Sequence, residues 1–93
     1  MKGTDITKKV RDRVYERDSI DGAPNCIICG RPYPHIHHIV ERSRGGKGIE
    51  ENLVCLCYRC HSILHDTEDP SMKEAIKAYM RKCYPDWDER GLV

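Results

Sequence analysis

The chain has 93 residues, a formal net charge of +1, 33% charged residues and no phenylalanine. No run approaches the roughly 18 apolar residues of a membrane span and no apolar leader opens the sequence, so the expectation is one cytoplasmic, membrane-free domain over residues 1–93. An isoelectric point of about 7.6 excludes a generally basic nucleic-acid binder, but residues 1–49 carry ten Lys/Arg against six Asp/Glu and residues 50–93 six against nine, which places any polyanion-facing surface in the first half.

A helix is predicted from Thr4 to about Asp18, capped by Thr4, with Ile6, Val10 and Val14 spaced by four on one face. Lys9, Arg13 and Arg17 fall on another, a solvated face or a set of phosphate contacts. Turn chemistry in Asp21-Gly22-Ala23-Pro24-Asn25 ends the element. Cys26-Ile27-Ile28-Cys29-Gly30 reads as a knuckle whose glycine allows the tight backbone that brings two sulfurs onto one ion. A short strand around 35–40 follows, then a loop over 41–48 and a second strand near 53–56. The run from Cys57 through Cys60 and His61 to His65 reads as a knuckle passing into a helix. The last helix, about 71–84, opens on Ser71-Met72-Lys73-Glu74, which has capping-box form. Its stripe Met72, Ala75, Ile76, Tyr79, Met80 and Cys83 is a packing face, and Trp87 is expected to fold back onto it.

Two Cys-x-x-Cys pairs, Cys26 with Cys29 and Cys57 with Cys60, can supply four thiolates in the tetrahedral array of a structural zinc site. Folding coupled to such an ion, worth about 10 kcal/mol or more, would offset a thin core. A disulfide framework would need an oxidising compartment. Cys55 alternates with Val54 and Leu56 in a strand and Cys83 lies on the apolar stripe, so both are assigned to the core as small hydrophobes. Four thiolates and one zinc would take the formal charge from +1 to about −1.

Three of the five histidines lie in His35-Ile36-His37-His38. His61 and His65, four apart, emerge on one face of a helix about one turn from each other, a natural grip on a second metal. That site needs a third ligand, which the histidine-rich strand can provide. Three neutral imidazoles leave coordination positions open, as a catalytic ion requires, and one further histidine beside the ion could take a proton from water. In an ideal strand His37 and His38 point to opposite faces, so serving one site would require the strand to end or bulge there.

Cys26-x-x-Cys29, His37-His38-Ile39, Gly45-Gly46, Asn52-Leu53, Leu56-Cys57-x-x-Cys60-His61 and His65 together resemble the HNH endonucleases, specifically the small zinc-stapled type of phages and prophages, over about residues 10–65. The resemblance implies an α+β, ββα-metal (His-Me finger) core at about 24–67, flanked by N- and C-terminal helices. It implies His37, His61 and His65 as ligands of one catalytic divalent ion (Mg, Mn, Ni or Zn). His38 would be the general base, and Asn52 would hold the loop and orient His38. The implied reaction is one-metal hydrolysis of phosphodiester bonds in double-stranded DNA, leaving 5′-phosphate and 3′-hydroxyl ends. Arg42, Arg44 and Lys47 are the loop candidates for DNA contact, with Arg13 and Arg17 on the first helix. His35, which shares a face with His37, is expected at the surface or in a hydrogen bond, with a ligand role the alternative. The chain departs from many relatives in having Val40-Glu41 where they carry a proline, and Ser62-Ile63-Leu64 where they carry basic residues. The alternatives are a non-catalytic zinc-knuckle nucleic-acid-binding module, or a small assembly protein using the stripe on the last helix, with a phage or host protein as possible partner.

Overall fold

The computed structural model describes residues 3–32 and 34–93. Its elements run α1 (Lys8–Arg17), β1 (Ser19–Ile20), β2 (Ala23–Pro24), β3 (His35–His38), β4 (Leu53–Leu56), α2 (Tyr58–Thr67) and α3 (Pro70–Cys83), with single 3-10 turns at Arg42–Arg44, Glu50–Asn52 and Glu89–Leu92. No helix among the described residues is long and apolar enough to cross a membrane.

The centre is the antiparallel hairpin of β3 and β4, in register His35 with Leu56, Ile36 with Cys55, His37 with Val54 and His38 with Leu53. All four β4 residues are buried, although they alternate between faces, because each face has its own cover. Val54 and Leu56 pack with Leu64, Ile76, Met80, Trp87 and Leu92. Leu53 and Cys55 pack with Val14, and Ile6, Val10 and Ile36 close around them. Each apolar side chain so buried contributes about 1.5–3 kcal/mol, and the two cores hold the hairpin from opposite sides. Cys55 is accordingly a core residue with burial pushing its thiol up to about 12, and Cys83 is half-buried on α3.

The helix starts differ from expectation. α1 is capped by Thr7, whose side chain accepts from Val10 N–H at 3.2 Å, because residues 3 and 4 form a turn and the chain enters the helix only at Lys8. α3 is capped by Asp69, which accepts from Ser71 and Met72 N–H with Pro70 in the first turn. Ser71 bonds to Asp69 rather than closing a box with Glu74, which lies 3.9 Å from Lys77. An acceptor placed before a proline leaves Ser71 inside the helix. The stripe does pack: Ile76 and Met80 are buried, Met72, Tyr79 and Cys83 half-buried, and only Ala75 is left exposed. Trp87 folds back as expected and donates from Nε1 to the Glu51 carbonyl at 2.7 Å. The turn chemistry after α1 builds a small hairpin, β1 with β2, around Asp21 and Gly22 at φ 53° and 84°.

Arg17 corrects the sequence reading of a solvated or DNA-facing residue. Its side chain is 13% exposed, and it donates to both carboxylate oxygens of Asp18 (2.7 and 2.9 Å), to the carbonyls of Glu50 (2.8 Å) and Leu53 (2.6 Å) and to the Tyr84 hydroxyl (3.2 Å). Buried Asp18 also accepts from the Cys55 N–H at 2.9 Å and the Tyr79 hydroxyl at 2.5 Å. The pair ties α1, β4 and α3 together, and its charges are satisfied by hydrogen bonds, as buried ions require.

Candidate metal centres and active site

The first knuckle closes with Gly30 N–H donating to Cys26 O at 2.9 Å, Gly30 standing at φ 78°. It is pinned to the hairpin by Ile27 N–H donating to Cys55 O at 3.0 Å. The second sits at the start of α2, where Cys57 is the cap and its sulfur accepts from Cys60 N–H at 3.4 Å. Since Cys57 follows β4 directly, the strand delivers one pair to the other. The ligand atoms of Cys26, Cys29, Cys57 and Cys60 all lie within 4.8 Å of one another, with Cys29 and Cys57 sulfurs 3.5 Å apart. Burial raises the Cys57 thiol, but the Cys60 N–H and neighbouring thiols outweigh it and bring it down to about 7; burial pushes Cys60 up. Four sulfurs so close, with one already poised to ionise, form a donor set suited to zinc.

β3 and α2 assemble the histidines. His37 and His61 meet edge-to-face with ring centroids 4.9 Å apart. His65, one turn along α2, shares with His37 a cavity of about 250 Å³ floored by Ile39, Val40, Leu64 and Ile76. Burial, with His61, His38 and His65 nearby, holds His37 down at about 4, and burial also lowers His61. His37 and His61 are therefore neutral near pH 7, the state in which imidazole donates to a metal. Among the described residues the four cysteines are the group of metal-ligating side chains gathered within 4.8 Å; of the three imidazoles, His37 and His65 line the cavity, while His61 touches His37 and shares a shallower surface depression with His65. The His65 side chain is exposed, with Nδ1 3.5 Å from Asp66 Oδ1. The donor chemistry suits a divalent first-row ion.

β3 shows no bulge in its pairing through His38, so His37 and His38 do face opposite ways. His38 lies on the α1 side, its Nε2 3.1 Å from the Thr4 carbonyl oxygen. A carbonyl only accepts, so Nε2 carries the proton and Nδ1 keeps the lone pair. Burial lowers the His38 pKa, and the Thr4 carbonyl works against that lowering. Sequence patterning gave no signal for this partner, 34 positions upstream.

Asn52 is fully buried and clamps the loop that follows His38. Its Oδ1 accepts from Val40 N–H at 2.8 Å, and its Nδ2 donates to the carbonyls of Val40 (3.1 Å) and Lys47 (2.8 Å). Its backbone carbonyl takes Ile39 N–H at 2.8 Å, extending the hairpin by one residue. Gly46 is needed inside this loop, since a Cβ there would stand 1.7 Å from the Val40 oxygen.

Residues 26–67, from the first knuckle to the end of α2, match the family model described as HNH endonuclease. They are an HNH-family segment. The chain is also 42% identical over 55 residues to the Type IV methyl-directed restriction enzyme EcoKMcrA of Escherichia coli (strain K12), a match covering 59% of this chain and 19% of that protein. Within the HNH segment β3, β4 and α2 make the ββα unit of an α+β fold, with the cysteines at its end.

Of the basic residues on and around the HNH segment, Arg44 and Lys47 are exposed in the loop and Arg13 is exposed on α1. Arg42 is half committed, its Nη2 2.8 Å from Asp5 Oδ1. His35 is exposed, with its ring 6.4 Å from that of Tyr58.

Proposed function

We propose that this chain is a metal-dependent endonuclease acting in the cytoplasm on double-stranded DNA, working as one domain over residues 1–93 and leaving 5′-phosphate and 3′-hydroxyl ends. His38 is the general base, and Asn52 holds the loop behind it. His37, His61 and His65 hold one divalent cation, and the four cysteines hold zinc. The observation that carries this reading is the meeting of His37 and His61 at 4.9 Å, strand against helix, beside a cavity that His65 also lines. When bound there, a divalent cation supplies Lewis-acid stabilisation of charge developing on the phosphate and leaving oxygen.

The chain's own residues account for the rest. With Nε2 committed to Thr4, His38 has Nδ1 free to take a proton from water, and its lowered pKa keeps it neutral near pH 7. Among the described residues β3 pairs only with β4. Its outer edge is where a phosphodiester could be reached from both faces at once, by His37 from one and His38 from the other. Arg44, Lys47 and Arg13 contact backbone phosphates, which carry no sequence information, so cleavage has weak sequence preference.

The test is supercoiled plasmid, methylated and unmethylated, incubated with magnesium, manganese, nickel or zinc beside a His38→Ala control. Loss of the base is expected to slow cleavage by about 100-fold or more. Undiminished cleavage by the variant removes His38 from this role. The tight gathering of the cysteines alone favours a second reading, a non-catalytic zinc-knuckle nucleic-acid-binding module. That reading predicts one tightly held zinc, DNA retention and no hydrolysis with any ion.

A further inference from the structure

The HNH segment begins at residue 26, yet the residue that fixes His38 is Thr4. Three consecutive residues at this end of the chain each touch the stretch between His38 and Gly48. Gly3 O accepts from Gly48 N–H at 2.9 Å, Thr4 O lies 3.1 Å from His38 Nε2, and Asp5 Oδ1 lies 2.8 Å from Arg42 Nη2. The Asp5–Arg42 pair is partly exposed and worth at most about 1 kcal/mol, so it guides the segment without anchoring it.

Gly48 is what makes the approach possible. A Cβ at this position would stand 2.0 Å from the Asp5 carbonyl oxygen and 3.1 Å from that of Thr4, and the first distance is far inside contact. Unlike Gly45 at φ 81°, Gly48 does not occupy the left-handed region. The residue is small for room, not for backbone freedom.

We propose that the segment Gly3–Asp5, outside the HNH segment, is the positioning element of His38, with the Thr4 carbonyl holding the ring as its Nε2–H tautomer and Gly48 providing the gap through which the segment reaches it. A neutral imidazole without this partner divides between two tautomers and two ring orientations, and only one of the four combinations has Nδ1 as the acceptor in the ring orientation seen here. The catalytic consequence rests on the nuclease reading, whereas the tautomer assignment does not.

Two measurements on the zinc-loaded chain of residues 1–93 decide the matter. Ring nitrogen NMR of 15N-histidine protein reads the tautomer directly: the wild type is expected to show His38 with its proton on Nε2, and Gly48→Ala a mixture. In plasmid cleavage, Gly48→Ala is expected to lower kcat by up to about 100-fold with KM unchanged, since a displaced base costs turnover and not DNA affinity. If Gly48→Ala fails to fold, an amide-to-ester replacement of the Thr4–Asp5 linkage keeps every side chain and weakens the Thr4 carbonyl as an acceptor. Its expected kcat loss is about threefold to tenfold, the worth of one hydrogen bond. A wild-type His38 protonated on Nδ1, or a Gly48→Ala chain with the tautomer lost and kcat intact, overturns the proposal. Absence of cleavage by the wild type with every ion overturns the nuclease reading, and the NMR measurement still decides whether the segment positions the ring.

Discussion

Replacing Asn52 separates what its side chain does from the space it fills. Asn52→Ala removes three hydrogen bonds to Val40 and Lys47 from a position with 0% exposure. At roughly 1 kcal/mol each the loss is about 3 kcal/mol, or about 10–20 °C in Tm for a domain of this size. Asn52→Asp is nearly isosteric and should be worse. One carboxylate oxygen can still accept from Val40 N–H, but the other would face the carbonyls of Val40 and Lys47, acceptor against acceptor, with no cation to compensate. A buried charge left without a partner costs about 3–5 kcal/mol beyond the lost bonds. The introduced carboxyl is therefore expected to hold its proton, with a folded pKa above the unfolded value of about 4. Its neutral form is favoured by folding, so the variant's stability is present below the unfolded pKa and is lost as pH rises through the raised folded one. Urea denaturation of the zinc-loaded proteins should rank wild type above Asn52→Ala above Asn52→Asp at about pH 8, with the Asn52→Asp deficit shrinking toward about pH 6. An Asn52→Asp protein as stable as Asn52→Ala at the higher pH, or a deficit indifferent to pH, would refute the assignment of Nδ2 toward the two carbonyls.

Chelation and substitution should divide the two proposed metal centres. Cys57→Ser, which breaks the four-sulfur set, is expected to collapse the thermal transition as a strong chelator does, because zinc binding worth about 10 kcal/mol is coupled to folding. His65→Ala, at an exposed side chain, should melt within about 1 kcal/mol of wild type while losing cleavage; equal destabilisation by both would sink the division. The pH profile of cleavage carries a further expectation. The proposed base, His38, would work in its neutral form, and burial lowers its pKa below the ordinary 6.5, so kcat should be flat above that value and fall only on further acidification. An inflexion at or above 6.5 would point to an unburied base.

Spacing in the sequence carried the features that depend on local geometry alone. Cys26, Cys29, Cys57 and Cys60 converge because each pair is bound to its own short turn, and β4 runs from Leu53 to Leu56 as its alternation implies. His61 and His65 fall one turn apart for the same reason. What spacing could not show was decided by segments distant along the chain. Thr4, rather than capping a helix, lends its carbonyl to His38, and Thr7 caps instead, because residues 3–5 are drawn alongside Gly48. Arg17 lies on the basic face that periodicity marks as solvated, yet the returns of residues 50–53 and 79–84 enclose it. Helical periodicity sorts residues by face, but it does not say which polar face a later element will cover.

The consecutive placement of His37 and His38 follows from the same two-sided burial. A strand with one dry face can slip by one residue only by exposing its apolar set, and β4 is held on both faces, by the cluster around Val54 and Leu56 and by the cluster around Leu53 and Cys55. A slip of β3 against this fixed partner would send His37 toward Thr4 and His38 toward His61, exchanging the two proposed roles. The Asn52 carbonyl on Ile39 and its side chain on Val40 oppose that slip at the open end of the hairpin. Strand alternation thus separates two chemically identical side chains into different environments. One is half-buried against His61 and held down at about 4; the other, also half-buried, is bonded to a carbonyl through Nε2. The division of labour proposed for them, metal ligand and proton acceptor, rests on which face of β3 each ring occupies, and the hydrophobic register of the hairpin is what fixes the face.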